Sequence, residues 1–265
     1  LNLSELDPYF AMARGYQGES GDVKALAMRK WFNTNYHYIV PEVEDDTEIR
    51  LSGNKPFEHY NEAKALHVET KSIVIGAYTL LKLCRFTGKK SSNDFVDAFI
   101  SAYQSYLKKA EEAGISWVQF DEPALVRDTD SEDIALFNKI YSALLSSKNN
   151  VKVLAQTYFG DVRDIYSDLI KLPFDGIGLD FVEGKETFAL VEKYGFPQDK
   201  LLFAGLVNGK NIWRNNYEKT LQNLAKLQEK GINCVLSTSC SLLHVPYTTK
   251  HETKLSANYL SYFAF

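Results

Sequence analysis

Cysteine is scarce in this chain and poorly placed for cross-linking: Cys84, Cys234 and Cys240 form an odd set without a Cys-x-x-Cys pair. That excludes a disulfide framework and a cysteine-built zinc ribbon, and it predicts a reduced, cytoplasmic setting. No apolar run approaches the ~20 residues that cross a bilayer, so a transmembrane helix is excluded. Residues 1–16 are amphipathic and lack a basic stretch ahead of an apolar one, which speaks against a signal peptide. Neither sign of charge dominates. With 30 Lys and Arg against 34 Asp and Glu, the net charge of −4 predicts no nucleic-acid surface. Gly-x-Gly-x-x-Gly and Walker-type turns are missing after every apolar run, which removes the usual nucleotide readings. His-Glu-x-x-His and His-x-Cys are missing too, so no metal is expected in this chain.

What is present is ordinary globular material. Hydrophobic residues make up 45% and charged residues 24% of the 265 positions, and a chain of that size buries roughly three quarters of its unfolded surface. No Pro/Gly/Ser-rich linker and no short repeat divides it, so residues 1–265 are expected to form one domain, with surface loops at 18–22, 42–54 and 88–93.

Apolar runs at 31–38, 72–78, 116–120, 151–158, 176–181, 201–206 and 233–237 predict strands. Helical patterns fall at 57–67, 93–113, 131–147, 162–172, 185–194 and 217–230, with an opening helix near 4–14 and a last one at 255–265. Strand followed by helix, repeated, predicts right-handed βαβ units and a parallel sheet. A (β/α)8 TIM barrel needs eight strands and seven are evident. The missing first strand is expected upstream of Leu1, in keeping with a fragment that starts without Met. The rival is an open doubly wound sheet, which needs no eighth strand but usually carries the Gly-rich turn.

In a barrel the working residues gather at the C-terminal ends of the strands. Those ends offer Asn33, Asn35 and His37, then Asp121 and Glu122, then Thr157 and Tyr158. Further along come Asp180 and Glu183, Asn208 and Lys210, and Ser239, Cys240 and His244. Asp121-Glu122-Pro123 follows an apolar strand; such a pair suits orienting a heterocycle, binding a cation or acid–base work. The plainer reading has one carboxylate capping the next turn and the other meeting an Arg or Lys. Cys240 and His244 stand four apart, yet a zinc site needs three or four ligands. His59 and His67 read as surface histidines, and Cys84 and Cys234 as core thiols. Lys30 closes a basic pair before the first predicted strand, where a solvated charge is the default.

Five segments, taken together, resemble the N-terminal domain of cobalamin-independent methionine synthase, the 5-methyltetrahydropteroyltriglutamate–homocysteine methyltransferase. They are Lys30-Trp31-Phe32-Asn33-Thr34-Asn35-Tyr36-His37-Tyr38, Trp117-Val118-Gln119-Phe120-Asp121-Glu122-Pro123-Ala124-Leu125, Thr157-Tyr158-Phe159, Ala204-Gly205-Leu206-Val207-Asn208-Gly209-Lys210-Asn211-Ile212-Trp213 and Ser239-Cys240-Ser241-Leu242-Leu243-His244. The resemblance implies two face-to-face barrels. The absent C-terminal one carries the zinc that activates homocysteine; this one supports the polyglutamate tail of 5-methyltetrahydrofolate, is zinc-free and is inactive alone. It implies a tail contact at Lys30 and a structural role for Asp121, with Asn35, His37, Tyr158, Asp180, Asn208 and Cys240 around the mouth. Two departures stand out. The family's basic first-strand motif is absent, and Gly76-Ala77-Tyr78-Thr79 replaces Gly-Pro-Val-Thr. The alternative function is a non-catalytic interaction module built on the same barrel; a hydrolase working through Asp121 and Glu122 lacks any visible nucleophile.

Overall fold

The computed structural model describes residues 7–19 and 21–264; residues 4–6 and 265, which the expected first and last helices include, lie outside that set. In chain order the elements are α1 (Asp7–Arg14), β1 (Met28–Lys30), β2 (His37–Ile39), β3 (Glu42–Val43), α2 (Lys55–Ala65), β4 (Ser72–Ile75), α3 (Ala77–Leu83) and β5 (Arg85–Phe86). They continue with α4 (Val96–Glu112), β6 (Trp117–Asp121), α5 (Ser131–Ser146), β7 (Lys152–Gln156), α6 (Tyr166–Leu169) and β8 (Gly176–Asp180). The last are α7 (Thr187–Tyr194), β9 (Leu201–Val207), α8 (Tyr217–Glu229), β10 (Cys234–Thr238) and α9 (Ala257–Leu260).

Six strands form one parallel sheet in the order β10-β9-β8-β7-β6-β4. Ile73 on β4 and Ser237 on β10, the two outermost strands, line one cavity, so the sheet curls into a barrel-like wall. Its two margins are not hydrogen-bonded to each other among the described residues. Side chains alternate across the wall. Val118, Phe120, Val153, Ala155, Ile177 and Leu202 point outward and are fully buried. They pack with Phe137, Ile140, Tyr141 and Leu144 of α5 and with Ile165 and Leu169 around α6. Burying each such side chain contributes about 1.5–3 kcal/mol. The polar first turn of α5 is capped by Asp130, whose carboxylate accepts from the Glu132 and Asp133 amides.

The first predicted strand, 31–38, is corrected. Residues 28–39 form an antiparallel hairpin outside the sheet, with Arg29 opposite Tyr38 and Lys30 opposite His37. The turn is made by the polar centre of the aromatic run: Thr34 Oγ1 donates to the Trp31 carbonyl at 2.6 Å, and Phe32 takes φ 52°. A strand through 31–38 would need to straighten both. The expected helix at 162–172 shrinks to α6, one turn ending before Pro173, and the one at 255–265 to α9.

Candidate functional site

Asp121 and Glu122 end β6 pointing in opposite directions. Glu122 goes outward and is completely buried. Its carboxylate accepts from the Tyr78 amide at 3.1 Å, the Thr79 amide at 2.7 Å, the Thr79 hydroxyl and the Tyr141 hydroxyl. Burial pushes its pKa up to about 7 against those donors. Gly76 makes the approach possible: a Cβ there would meet the Glu122 carboxylate at 2.1 Å. Glu122 therefore pins α3, the helix after β4, to α5. It caps a neighbouring turn, where the plain sequence reading expects the following one.

Asp121 faces the lumen. Gln119 Nε2 donates to its Oδ1 at 2.7 Å, and the Tyr158 hydroxyl donates to Oδ2 at 3.1 Å. Its partners are an amide and a phenol, where the sequence suggests an Arg or Lys. Burial pushes its pKa up to about 6, with those two donors and the charge of Lys71 pulling the other way. The lumen around it has a volume of about 230 Å³ and is lined by Lys71, Gln119, Gln156, Tyr158, Ser237 and Cys240, among others.

The rim is built from short polar turns. Asp180 is buried and accepts from the Phe159 amide at 3.0 Å, the Val182 amide at 2.8 Å and the Glu183 amide at 2.9 Å. Burial raises its pKa against those donors. Asn208 Oδ1 accepts from the Lys210 and Asn211 amides at 2.8 and 2.9 Å. Gly209 lets this turn touch Cys240, because a Cβ would meet the Cys240 carbonyl at 2.5 Å. Burial pushes the Cys240 thiol up to about 11, the opposite of what a thiolate ligand needs.

The hairpin lies on this rim. Lys210 Nζ pairs with Glu183 Oε1 at 2.8 Å and donates to Asn33 Oδ1 at 3.0 Å, while Asn33 Nδ2 donates to Glu183 Oε2 at 2.9 Å. The Tyr36 hydroxyl donates to the Leu243 carbonyl at 2.9 Å and its ring meets His244. Phe32 sits against Phe159 and under the Arg127 guanidinium. Asn33 and Tyr36 thus reach the barrel. Lys30, Asn35 and His37 are exposed on the hairpin, and Lys30 enters none of the ion pairs among the described residues.

Among the described residues no three of His, Cys, Asp and Glu gather into a metal-holding group, so the donor set does not fit a zinc ion. Sequence reasoning overlooked Lys71, Gln119 and Gln156. The signal was available: a polar residue at every second position of an otherwise apolar strand marks an inner face.

The family model described as cobalamin-independent synthase, N-terminal domain, matches residues 2–231. The 5-methyltetrahydropteroyltriglutamate–homocysteine methyltransferases of Campylobacter jejuni subsp. doylei and Streptococcus thermophilus are 54% and 56% identical over all 265 residues. The chain spans 35% of the length of these curated relatives. Among solved structures, a B12-independent methionine synthase from Shewanella sp. W3-18-1, in complex with selenomethionine, aligns with a TM-score of 0.62 at 17% identity. The match covers 80% of this chain and 66% of that one. A methyltransferase from Methanosarcina mazei aligns with a TM-score of 0.57 at 15% identity, over 82% and 70% of the two chains. At such identities these two show the fold alone.

Proposed function

The chain belongs to the cobalamin-independent methionine synthase family, and on that premise we propose that it is the zinc-free, folate-tail-supporting barrel of a methyltransferase. The complete protein moves a methyl group from 5-methyltetrahydrofolate polyglutamate to homocysteine in methionine biosynthesis, in the cytoplasm. Residues 1–265 are read as one domain of it, inactive alone. The observation that carries this reading is Lys30, an exposed ammonium without an ion-pair partner among the described residues, on a hairpin fastened to the barrel rim through Asn33, Lys210 and Glu183. A Lys suits a flexible polycarboxylate, because a point charge on a long stem needs no fixed fork geometry. The relatives' printed name, with its triglutamate, supports that class of ligand. Zinc belongs to the C-terminal barrel in this reading, where it would lower a thiol pKa so that homocysteine reacts as thiolate.

Lys30→Ala, placed in a polypeptide of the relatives' full length, should raise KM for the triglutamate substrate about tenfold, the equivalent of ~1.4 kcal/mol. KM for the monoglutamate should change by less than about twofold. Equal effects on both would remove the tail assignment. A second reading, an interaction module, draws on the exposed Ile73, Ile75 and Leu236 at the sheet margins. Sedimentation of the chain with and without the C-terminal half separates the two: a complex that restores turnover supports the first, and a complex without turnover supports the second.

A further inference from the structure

The lumen contains two opposite charges that never meet. Asp121 is held only by Gln119 and Tyr158, neither of which is charged. Lys71 lies half-buried with its ammonium 5.0 Å from the centre of the Phe203 ring. Neither enters an ion pair among the described residues. The same cavity carries an orphaned acceptor: Gln119 is 8% exposed, and its Oε1 is buried without a hydrogen-bond partner among the described residues. The amide cannot be relieved by rotation, since turning it over would set that oxygen against the Asp121 carboxylate. A buried acceptor left unsatisfied costs about 1–3 kcal/mol, so this position calls for a donor from outside the chain.

We propose that the lumen binds a small zwitterion of the amino-acid class, its ammonium against Asp121 and the free Gln119 Oε1, its carboxylate toward Lys71 and the hydroxyls of Ser237 and Thr238. Charge selects the class. A simple cation would be repelled by Lys71 and a simple anion by Asp121, whereas one molecule bearing both charges satisfies both walls. Size agrees: about 230 Å³ equals roughly eight waters' worth of liquid volume, enough for a short amino acid. Ile73 and the Tyr158 ring, which line the same cavity, supply apolar contact for its methylenes. The site is separate from the hairpin that carries Lys30 and does not rest on the folate reading.

Isothermal titration and ligand-observed NMR on this chain at pH 7.5 would compare glycine, β-alanine and 4-aminobutyrate with methylammonium and acetate. The expected result is a zwitterion with millimolar or tighter affinity, about tenfold or more tighter than either single charge. Asp121→Asn and Lys71→Met should each weaken that zwitterion about tenfold, while Lys108→Ala, exposed on α4, leaves it unchanged. Lys71 stands at an open sheet margin, so Lys71→Met tests the site even where Asp121→Asn disturbs folding. Zwitterions that bind no better than acetate, or a Lys71→Met chain with undiminished affinity, would overturn the proposal. Zwitterion binding that persists while Lys30→Ala changes KM for the tri- and monoglutamate substrates equally would sink the folate-tail reading alone.

Discussion

The outer face of the sheet is dry and the inner face is polar, and Asp121 and Glu122 sit one residue apart on either side of that divide. Both are carboxylates displaced upward in pKa by burial. Their partners differ in number and kind. Glu122 gathers two backbone amides and two hydroxyls and stitches α3 to α5. Asp121 takes one amide and one phenol and keeps lone pairs free toward a cavity. A buried charge whose acceptor sites are filled by the fold is an internal rivet; one left partly open is available to a ligand.

The largest expected effect follows from that contrast. Glu122→Ala strands four donors in a dry site, at about 1–3 kcal/mol for each that finds no other partner. We expect a loss on the order of 4 kcal/mol in urea unfolding, against about 1 kcal/mol for Asp121→Ala, where only two donors are stranded and the vacated space opens onto the lumen. Similar losses from the two would erase the distinction between the faces.

Next in size is a pair of isoleucines. Ile177 on β8 is fully buried on the outer face, while Ile73 on β4 is 51% exposed at the margin of the inner one. Ile177→Ala should cost about 3 kcal/mol through lost burial and a residual cavity. Ile73→Ala should stay within about 0.5 kcal/mol. A large loss at Ile73 in this chain would mean that the margin is covered and the lumen closed.

The same divide explains what the sequence reveals. The strands β6 to β9 were legible because their outward positions, such as Val118-x-Phe120 and Val153-x-Ala155, are uniformly apolar beneath the helices. Helices α5, α7 and α8 were legible from their apolar period. The segment 31–38 was not, because its aromatics pack like strand residues although they belong to a turn. Trp31 and Phe32 join Tyr158, Phe159 and Cys240 in a small cluster at the rim. Asn33-Thr34-Asn35 in its centre was the available warning, since such residues bond to their own backbone in turns. Helix α3 escaped notice because Gly76 turns an apolar strand directly into an apolar helix without a polar boundary. At the site, Asp121, Tyr158 and Cys240 were legible as strand ends, whereas Lys71 was hidden at a strand's beginning. Its side chain enters the lumen through inward alternation with Ile73, a relation that requires the register of β4 on β6.

The smallest expected effect is titration of the inner carboxylate, and its sign is opposite to that of a salt-bridged acid. Asp121 has a folded-state pKa of about 6, above its unfolded value, so the folded chain holds a proton that the unfolded chain has already released. The stability this proton gives is complete below about pH 4 and is lost as pH rises through about 6. Asp121→Asn removes that dependence. Its stability relative to the parent should therefore improve by about 1 kcal/mol between pH 4 and pH 7, a figure reduced for solvent in the open lumen. Glu122 titrates in the same direction, with its folded-state pKa pushed to about 7, and it is present in both chains, so it cancels in the comparison. Urea unfolding of parent and variant across that pH range reads the difference directly. A variant that instead loses ground as pH rises would show an ionised Asp121 already compensated in the folded chain, and the lumen would then have no charge to offer an incoming ammonium.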